Sequence, residues 1–262
     1  MERIFILTES QFIIDKLNHY SIIRSIDDIL STPEDAIIIL VSFSKIIPVK
    51  IIQQRVFLNV HNSLLPKYRG RHAFTWAIIN DEKEAGFSIH FVKDEIDSGA
   101  LVAQLSVPLY EQDDINNLFE RAWNFFFPWF DEQLDLINNS GLPIGIDQNH
   151  NEATYVGRRR KEDGCIDFNT SARYIYNFIR AQKPPYSYGA YFIYKNAEVI
   201  VLNSQVINCP DYIGIPGQVM NIKVGAGVLV KCADKIIQIN EIIYNNKRLS
   251  SDKLITKIGI RL

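Results

Sequence analysis

The sequence predicts an α/β protein with a Rossmann-like, mostly parallel sheet, helices on both faces of that sheet, and a smaller β-rich C-terminal part. Over the first half, apolar β-branched runs alternate with segments whose apolar residues recur at helical spacing. A polar stretch follows, and beyond Gly189 short strands separated by turns replace the alternation. We therefore expect one domain over residues 1–150 and a second, a helix plus a β-rich part, over residues 151–262.

The first elements alternate between strand and helix. RIFIL at residues 3–7 and DAIIILVSF at residues 35–43 are apolar runs typical of buried parallel strands. Between them, the apolar side chains of residues 11–20 fall at helical spacing. Pro48 begins a second predicted helix, VKIIQQR, and RVFLNVH at residues 55–61 is the next predicted strand.

The next elements continue the alternation. HAFTWAIIND at residues 72–81 predicts a helix, and FSIHFVKDEID at residues 87–97 predicts a strand with Ser98-Gly99 as its turn. DDINNLFERAWNFFF at residues 113–127 predicts a helix that Pro128 kinks or restarts. The aromatic run around Pro128 is expected in the core or in a dimer interface.

The second half begins after NNSGLPIGIDQNHNEA, residues 138–153, with a polar stretch that we interpret as a linker. TSARYIYNFIRAQ at residues 170–182 then predicts a capped amphipathic helix. Five short β segments follow, and they are AYFIY, AEVIVLNSQVI, GQVMNI, GVLVKC and IIQINEII. Their apolar character leads us to expect a homodimer.

Composition and charge limit the class of protein. Hydrophobic residues make up 47% of the chain and charged residues 22%, which is ordinary for a soluble globular protein. The net charge is −2 and the sequence pI is about 6.2, whereas proteins that bind nucleic acid through its phosphates are usually basic. We therefore expect no nucleic acid as the main partner. We also expect no membrane association, because no run of about 18 apolar residues occurs.

The cysteines and the first residues bear on metal binding and compartment. Cys165, Cys209 and Cys232 lie far apart and form no CxxC pair, so neither a zinc site nor a disulfide framework is predicted. The first residues, MERIFILTESQF, lack the basic region and the long apolar run of an export signal. We expect a cytoplasmic protein that requires no metal.

Three polar residues follow apolar strands of the predicted sheet. Asn59 and His61 stand at the end of one strand, and Asp97 precedes the Ser98-Gly99 turn. Ligands of parallel sheets collect at the carboxyl ends of the strands, so we expect these side chains to converge there. A neutral His takes up a proton near neutral pH, an Asp beside it stabilises the charged form, and an Asn amide donates to a developing oxyanion. The set suits attack on a carbonyl-like carbon.

The sequence offers no obvious protein nucleophile for that attack. Cys165 lies outside the three-residue set, and no GxSxG motif is present. We therefore expect an amine of the substrate to attack directly. The alternative for each residue alone is structural, since His61 could be a satisfied core histidine and Asp97 a turn residue. His72 and His90 we interpret as structural.

The segment NVHNSLLPKYRG, followed by DEIDSG, resembles the folate-dependent formyltransferases. The resemblance is close over residues 36–104 and looser elsewhere. It implies that Asn59, His61 and Asp97 are catalytic, that residues 1–150 form a shortened catalytic domain, and that 10-formyltetrahydrofolate is the formyl donor. It also implies that the donor lies against two segments, Phe43, Ser44, Lys45 and Ile46 in one and Asp94, Glu95 and Ile96 in the other.

The acceptor is predicted from two further segments. YRGRHAFTWAIIN and RRRKEDGCIDFNTSARYIYNFIRAQKPPY resemble nucleotide-sugar N-formyltransferases of the dTDP-4-amino-4,6-dideoxyglucose type, which act in O-antigen or surface glycan synthesis. A basic loop typical of the methionyl-tRNA enzymes is missing. Initiator tRNA as acceptor, and a folate-binding protein without catalysis, remain alternatives.

Five residues are predicted to bind the substrate, and they are Lys67, Tyr68, Arg69, Arg71 and Tyr186. The cationic side chains would contact the glutamate of folate or the phosphates of a sugar nucleotide. Their alternative interpretation is a solvated surface. Tyr186 either stacks on a base or packs where the two predicted domains join.

Overall fold

The computed structural model describes residues 3–262, and the contacts divide these residues into two compact units. The first unit contains the described residues up to Ala73 together with Glu84–Pro108 and Glu120–Arg158. The second contains Phe74–Lys83, Leu109–Phe119 and Arg159–Leu262. The division after residue 150 stays a prediction.

The first unit is built on a six-stranded sheet and a two-stranded one. In chain order their strands are β1 (Ile4–Leu7), β2 (Ser21–Ile23), β3 (Ile37–Val41), β4 (Val56–His61), β5 (Arg69–Gly70), β6 (Glu84–Phe91), β7 (Leu101–Pro108) and β8 (Tyr155–Val156). The larger sheet has the order β2-β1-β3-β4-β6-β7, and β5 pairs with β8. The strands from β2 to β4 are parallel, whereas β6 is antiparallel to β4 and to β7. The predicted fold class is confirmed, with an antiparallel pair added to the parallel strands.

β3 lies between β1 and β4, and its sequence IIILV suits that place because all five side chains are buried. Apolar residues from neighbouring elements complete a core cluster, and its buried members are Leu7, Ile29, Ala36, Ile38, Leu40, Ile47 and Phe57. Since β1, β3 and β4 are parallel, their carboxyl ends lie at one edge of the sheet. The loops that follow β3 and β4 therefore begin side by side.

The helices in chain order are α1 (Gln11–Lys16), α2 (Ile26–Ile29), α3 (Val49–Ile52), α4 (Ala73–Ile79), α5 (Ile115–Ser140) and α6 (Ala172–Arg180). α5 continues past Pro128, so the predicted restart there is wrong. Phe126 and Phe130, on either side of Pro128, are fully buried and their ring centroids lie 4.9 Å apart. This packing compensates for the one hydrogen bond that a proline removes from a helix.

The second unit carries the remaining strands, which are β9 (Ala190–Tyr194), β10 (Ala197–Ile207), β11 (Val219–Lys223), β12 (Gly227–Lys231), β13 (Ile236–Tyr244) and β14 (Lys247–Ser250). They form an antiparallel sheet in the order β11-β12-β13-β10-β9, with β14 on β13. The Ser171 side chain accepts from the Tyr174 N–H and caps α6, as predicted. The five predicted β segments are confirmed.

Several short elements were not predicted. The helix predicted to reach residue 20 ends at Lys16, and β2, β7 and β14 had no counterpart in the prediction. The segment of residues 138–153, which precedes the predicted linker, belongs to the first unit. Its Ile146 forms a bridge with Leu101, and its Gln148 is buried. β2 and β14, with three and four residues, lack enough residues for a periodic signal, whereas the eight-residue β7 is defined by its pairing with β6.

Candidate active site

β4 places Asn59 and His61 on one face, because side chains two residues apart in a strand point the same way. The antiparallel partner β6 puts His90 directly opposite Asn59. Directly paired residues share a face, so the imidazole of His90 lies beside the Asn59 amide. The structure therefore adds to the two predicted residues of β4 a histidine that we had interpreted as structural.

Asp97 reaches these side chains by a route that differs from the predicted one. We expected it at the carboxyl end of a strand parallel to β4, but β6 is antiparallel to β4 and ends at Phe91. The loop of residues 92–99 turns back and carries Asp97 to the face of β4. Asp97 has a φ of +52°, a left-handed conformation that is uncommon for a residue with a Cβ. Such strain is frequent at functional sites.

Together Asn59, His61, His90 and Asp97 form what we call the β4–β6 cluster. The Asp97 Oδ1 lies 3.3 Å from the Asn59 Nδ2 and 3.4 Å from the His90 Nε2. The Asp97 Oδ2 lies 3.4 Å from the His61 Nδ1 and accepts a hydrogen bond from the Gly70 N–H at 2.8 Å. His61 is 7% exposed and His90 2%, so the cluster is largely shielded from water.

Main-chain carbonyls fix which nitrogen of each imidazole carries a hydrogen. The His61 Nε2 donates to the Tyr68 carbonyl at 2.8 Å, so in the neutral ring the lone pair is on Nδ1, facing Asp97. The His90 Nδ1 donates to the Phe91 carbonyl at 2.9 Å, which leaves Nε2 to accept from the Asn59 amide at 3.1 Å. The His61 Nδ1 is therefore the basic atom of the cluster.

The ionisation of the cluster follows from burial and from these contacts. Burial alone would raise the pKa of Asp97, but the contact with the His90 imidazole, the nearby His61 and the Gly70 N–H outweigh it and lower that pKa to about 2. Burial lowers the pKa of His61, although the Asp97 carboxylate and the Tyr68 carbonyl act in the opposite direction. At neutral pH the cluster therefore pairs a carboxylate with a neutral His61 that can accept a proton.

A second set of buried groups surrounds the Asp97 loop. Arg69 is fully buried, and its guanidinium donates to the Gln148 Oε1, to the Tyr155 hydroxyl and to the His150 Nδ1. Its partner Gln148 donates in turn to the carbonyls of Asp97 and Gly99. The predicted substrate contact of Arg69 is not favoured by this placement, because protein groups surround its guanidinium. A role for Gln148 was not predicted, since it stands in a polar stretch of sequence without a recognisable motif.

The two segments predicted to bind the donor are exposed loops of the first unit. Ile46 is 86% exposed and Ile96 63% exposed, which is unusual for large apolar side chains. Phe43 packs against the core cluster beneath β3, and Lys45 pairs with Glu9 at 2.6 Å. The remaining members, Ser44, Asp94 and Glu95, are exposed as well.

The other predicted substrate residues fall in different places. Arg71 is exposed, and its Nη2 donates to the Ser44 carbonyl at 2.7 Å, so it lies against the first predicted donor segment. Lys67 is exposed, whereas Tyr68 faces the cluster with its carbonyl and has a φ of +60°. Tyr186 belongs to the second unit, where its ring centroid lies 4.9 Å from that of Phe119.

Two wider searches of the structure concern metals and membranes. Within residues 3–262, no three or more His, Cys, Asp or Glu side chains are grouped so that they could hold a metal ion. Across the same residues, none of the helices combines the length and the apolar character needed to cross a bilayer.

The fold and the cluster define an α/β protein that buries two imidazoles beside a carboxylate. Residues 23–125 match the formyl transferase family, and residues 158–258 match the formyl transferase C-terminal domain. The chain belongs to the formyl transferase family, as the resemblance implied.

Similar proteins differ in the acceptor that their names give. The chain is 33% identical over 230 residues to methionyl-tRNA formyltransferase of Caldanaerobacter subterraneus, covering 86% of this chain and 69% of that protein. It is 32% identical over 225 residues to the Clostridioides difficile enzyme of the same name, covering 85% and 71%. The N-formyltransferase of Helicobacter canadensis, solved with folinic acid and dTDP-3-aminofucose, superposes with a TM-score of 0.68 at 19% identity, covering 91% and 99%. That likeness shows a shared fold.

Proposed function

We propose that this protein transfers the formyl group of 10-formyltetrahydrofolate to the amino group of a nucleotide-linked amino-dideoxysugar. The favoured acceptor is dTDP-4-amino-4,6-dideoxyglucose, and the product would serve surface glycan synthesis. One observation carries the proposal, namely that in a formyl transferase the Asn59 amide and the His61 imidazole lie 3.3 and 3.4 Å from the two oxygens of the Asp97 carboxylate. The set combines a base, a group that stabilises its charged form, and an amide donor.

His61 is the base in this proposal. Its Nδ1 accepts a proton from the sugar amine as the amine nitrogen forms a bond to the formyl carbon. Asp97 stabilises the imidazolium, because its carboxylate lies 3.4 Å from that nitrogen. When the bond between the formyl carbon and folate N10 breaks, the proton moves to N10. The base is thereby restored.

Asn59 is the oxyanion donor. Its two amide hydrogens face the His90 Nε2 at 3.1 Å and the Asp97 Oδ1 at 3.3 Å, and the second contact is long for a hydrogen bond to a carboxylate. The N–H that faces Asp97 is the one that donates a hydrogen bond to the formyl oxygen instead, as negative charge develops there. One such donor contributes about 3 kcal/mol to catalysis in known enzymes.

The donor segments fit a folate with an apolar ring and an anionic tail. Ile46 and Ile96 offer exposed apolar surface in the same unit as the cluster, and Lys45 adds a positive charge. Folinic acid in the Helicobacter canadensis structure supports a folate donor. Phe43, Ser44, Asp94 and Glu95 complete the proposed donor contacts.

The preference for a sugar acceptor is supported by charge and by a structural neighbour. The chain has a net charge of −2, whereas affinity for tRNA depends on many cationic contacts to phosphates. The Helicobacter canadensis structure contains dTDP-3-aminofucose. Lys67 and Arg71, both in the first unit, are the residues that we propose for the nucleotide phosphates. The contact predicted for Tyr186 and the cytoplasmic homodimer stay predictions.

Methionyl-tRNA is the second candidate acceptor. It is favoured by the identities of 33% and 32% to two methionyl-tRNA formyltransferases, which exceed the identity to the sugar enzyme. Overall identity of this size shows the family but does not by itself fix the acceptor. The two candidates therefore require a direct test.

The test incubates the protein with 10-formyltetrahydrofolate and four acceptors in parallel. These are dTDP-4-amino-4,6-dideoxyglucose, dTDP-3-aminofucose, UDP-4-amino-4-deoxyarabinose and initiator methionyl-tRNA. Mass spectrometry should show a gain of one formyl group on an amino sugar. Transfer to methionyl-tRNA alone would replace the sugar proposal, and folate binding without any transfer would support a non-catalytic protein.

A further inference from the structure

We propose that Gln148 is a positioning residue for formyl transfer, acting through the main chain of Asp97. The inference rests on the proposed catalytic role of Asp97. Gln148 lies 51 residues from Asp97, in a segment for which the sequence predicted no helix, strand or functional role. It is 5% exposed, so its amide must find its hydrogen-bond partners within the protein.

The Gln148 amide holds both ends of the short turn that contains Asp97. Its Nε2 donates to the Asp97 carbonyl at 2.8 Å and to the Gly99 carbonyl at 2.7 Å. Gly99 packs directly against the last residue of β6, because a Cβ built on it would lie 1.7 Å from the Phe91 carbonyl oxygen. The turn is therefore fixed between β6 and the Gln148 side chain.

Arg69 determines which way the Gln148 amide faces. Its Nε and Nη2 lie 3.2 and 2.8 Å from the Gln148 Oε1. A guanidinium only donates, so the amide oxygen must face Arg69 and the NH₂ group must face the two carbonyls. A flipped amide would leave buried donors opposed to one another, which costs more than either hydrogen bond contributes.

β5, which contains Arg69, also contacts the Asp97 carboxylate. Gly70, the neighbour of Arg69, donates its N–H to the Asp97 Oδ2 at 2.8 Å. β5 pairs with β8, and Gly70 lies so close to the Val156 carbonyl that a Cβ would be 2.2 Å from it. Asp97 is thus held at its carbonyl by Gln148 and at its carboxylate by Gly70. This double attachment keeps it in the left-handed conformation that aims its carboxylate at His61.

The chain contains a matched pair with no link to Asp97. Gln182 is 3% exposed, and its Oε1 accepts from the Arg159 Nε and Nη2 at 3.3 and 3.0 Å. Its Nε2 donates to the Phe178 carbonyl of α6 in the second unit. Both glutamines are buried, and each accepts hydrogen bonds from its own arginine. Gln182→Leu therefore controls for the loss of a buried amide.

The kinetic test compares Gln148→Leu with Gln182→Leu, using 10-formyltetrahydrofolate and dTDP-4-amino-4,6-dideoxyglucose. Gln148→Leu should lower kcat about 30-fold, since misplacing a catalytic group by about 1 Å costs on that order, and should leave the donor KM within about twofold. In an Asp97→Asn background the same change should lower kcat less than about twofold. Effects that multiply, or an equal kcat loss in Gln182→Leu, would overturn the proposal.

A second readout needs no acceptor and separates this inference from the proposed function. In the unliganded protein, Gln148→Leu should increase hydrogen exchange of the Gly70 amide at least about tenfold, while Gln182→Leu leaves it unchanged. Unchanged Gly70 exchange would refute the positioning role even if no acceptor is found. If Gln148→Leu does not fold, Gln148→Glu keeps the Arg69 contact, lacks the two donors, and should give the same exchange result.

Discussion

The β4–β6 cluster and the predicted donor segments belong to the same unit but differ in their exposure to solvent. In the cluster, the His90 side chain is 2% exposed and the His61 side chain 7% exposed. Each imidazole donates one hydrogen bond to a main-chain carbonyl. The donor segments carry Ile46 at 86% and Ile96 at 63% exposure. In the proposed reaction, the groups for proton transfer are arranged before the substrate arrives, whereas the donor surface gains its burial from the ligand.

The largest expected effect comes from removing the base. His61→Ala should lower kcat by about 10³-fold, because it removes the atom that accepts the proton of the amine. Steady-state formyl transfer measures the loss. His19→Ala is the control, since that side chain is 52% exposed and pairs with Asp131 on the surface. A kcat within tenfold of wild type in His61→Ala would show that the cluster does not supply the base.

The second effect concerns the free energy of unfolding of the protein rather than its activity. A folded-state pKa of about 2 for Asp97, against 3.8 in the unfolded chain, means that its contribution is complete above about pH 4 and is lost as the pH falls towards 2. The contribution is about 2 kcal/mol. The free energy of unfolding in urea should therefore fall less between pH 5 and pH 2 in Asp97→Asn than in wild type.

The matched control for that pH dependence is Asp147→Asn, because the Asp147 side chain is 87% exposed. It should retain the acid dependence of wild type. The lowered pKa of His61 adds a loss in the same direction, which begins below about pH 6.5 as the unfolded chain takes up a proton. An Asp97→Asn profile parallel to wild type from pH 5 to pH 2 would contradict the arrangement.

A smaller effect is expected at His90, which orients the amide of Asn59. His90→Ala should lower kcat about tenfold with little change in either KM, since it removes one hydrogen bond that holds Asn59. Combining it with Asn59→Ala should add little further loss, because His90 acts through that amide. Two effects that multiply would assign His90 an independent role.

The smallest effect is expected at the exposed donor segments. Ile46→Ser should raise the KM for 10-formyltetrahydrofolate about fivefold and leave kcat nearly unchanged, because it removes part of an apolar contact that forms on binding. Ile144→Ser tests specificity, since that residue is 98% exposed but lies outside both donor segments. An equal KM in wild type and Ile46→Ser would remove this segment from the donor site.

The sequence predicted the parts of the site that depend on local pattern. Asn59 and His61 follow from the two-residue repeat of a strand, and Asp97 follows from the spacing of a known family motif. His90 could not be assigned, because its approach to Asn59 depends on the antiparallel register of β4 and β6. The same register explains why the predicted meeting of parallel strand ends was wrong for Asp97.

Contacts between residues distant in the chain account for the rest. Arg69 is a cation in a basic run, so its sequence suggested a surface role. Its guanidinium is instead buried and donates to the side chain of Gln148, 79 residues away. β7 and the bridge at Ile146 likewise depend on pairing with residues elsewhere in the chain. Local periodicity carries no information about such partners.

A crystal structure with a bound formyl-folate analogue would test the central claim most directly. The account predicts that the analogue lies on the Ile46 and Ile96 segments and that its formyl oxygen is within about 3 Å of the Asn59 Nδ2. The His61 ring should border the space beside the formyl carbon. A folate bound elsewhere, with its formyl group far from Asn59 and His61, would contradict the account.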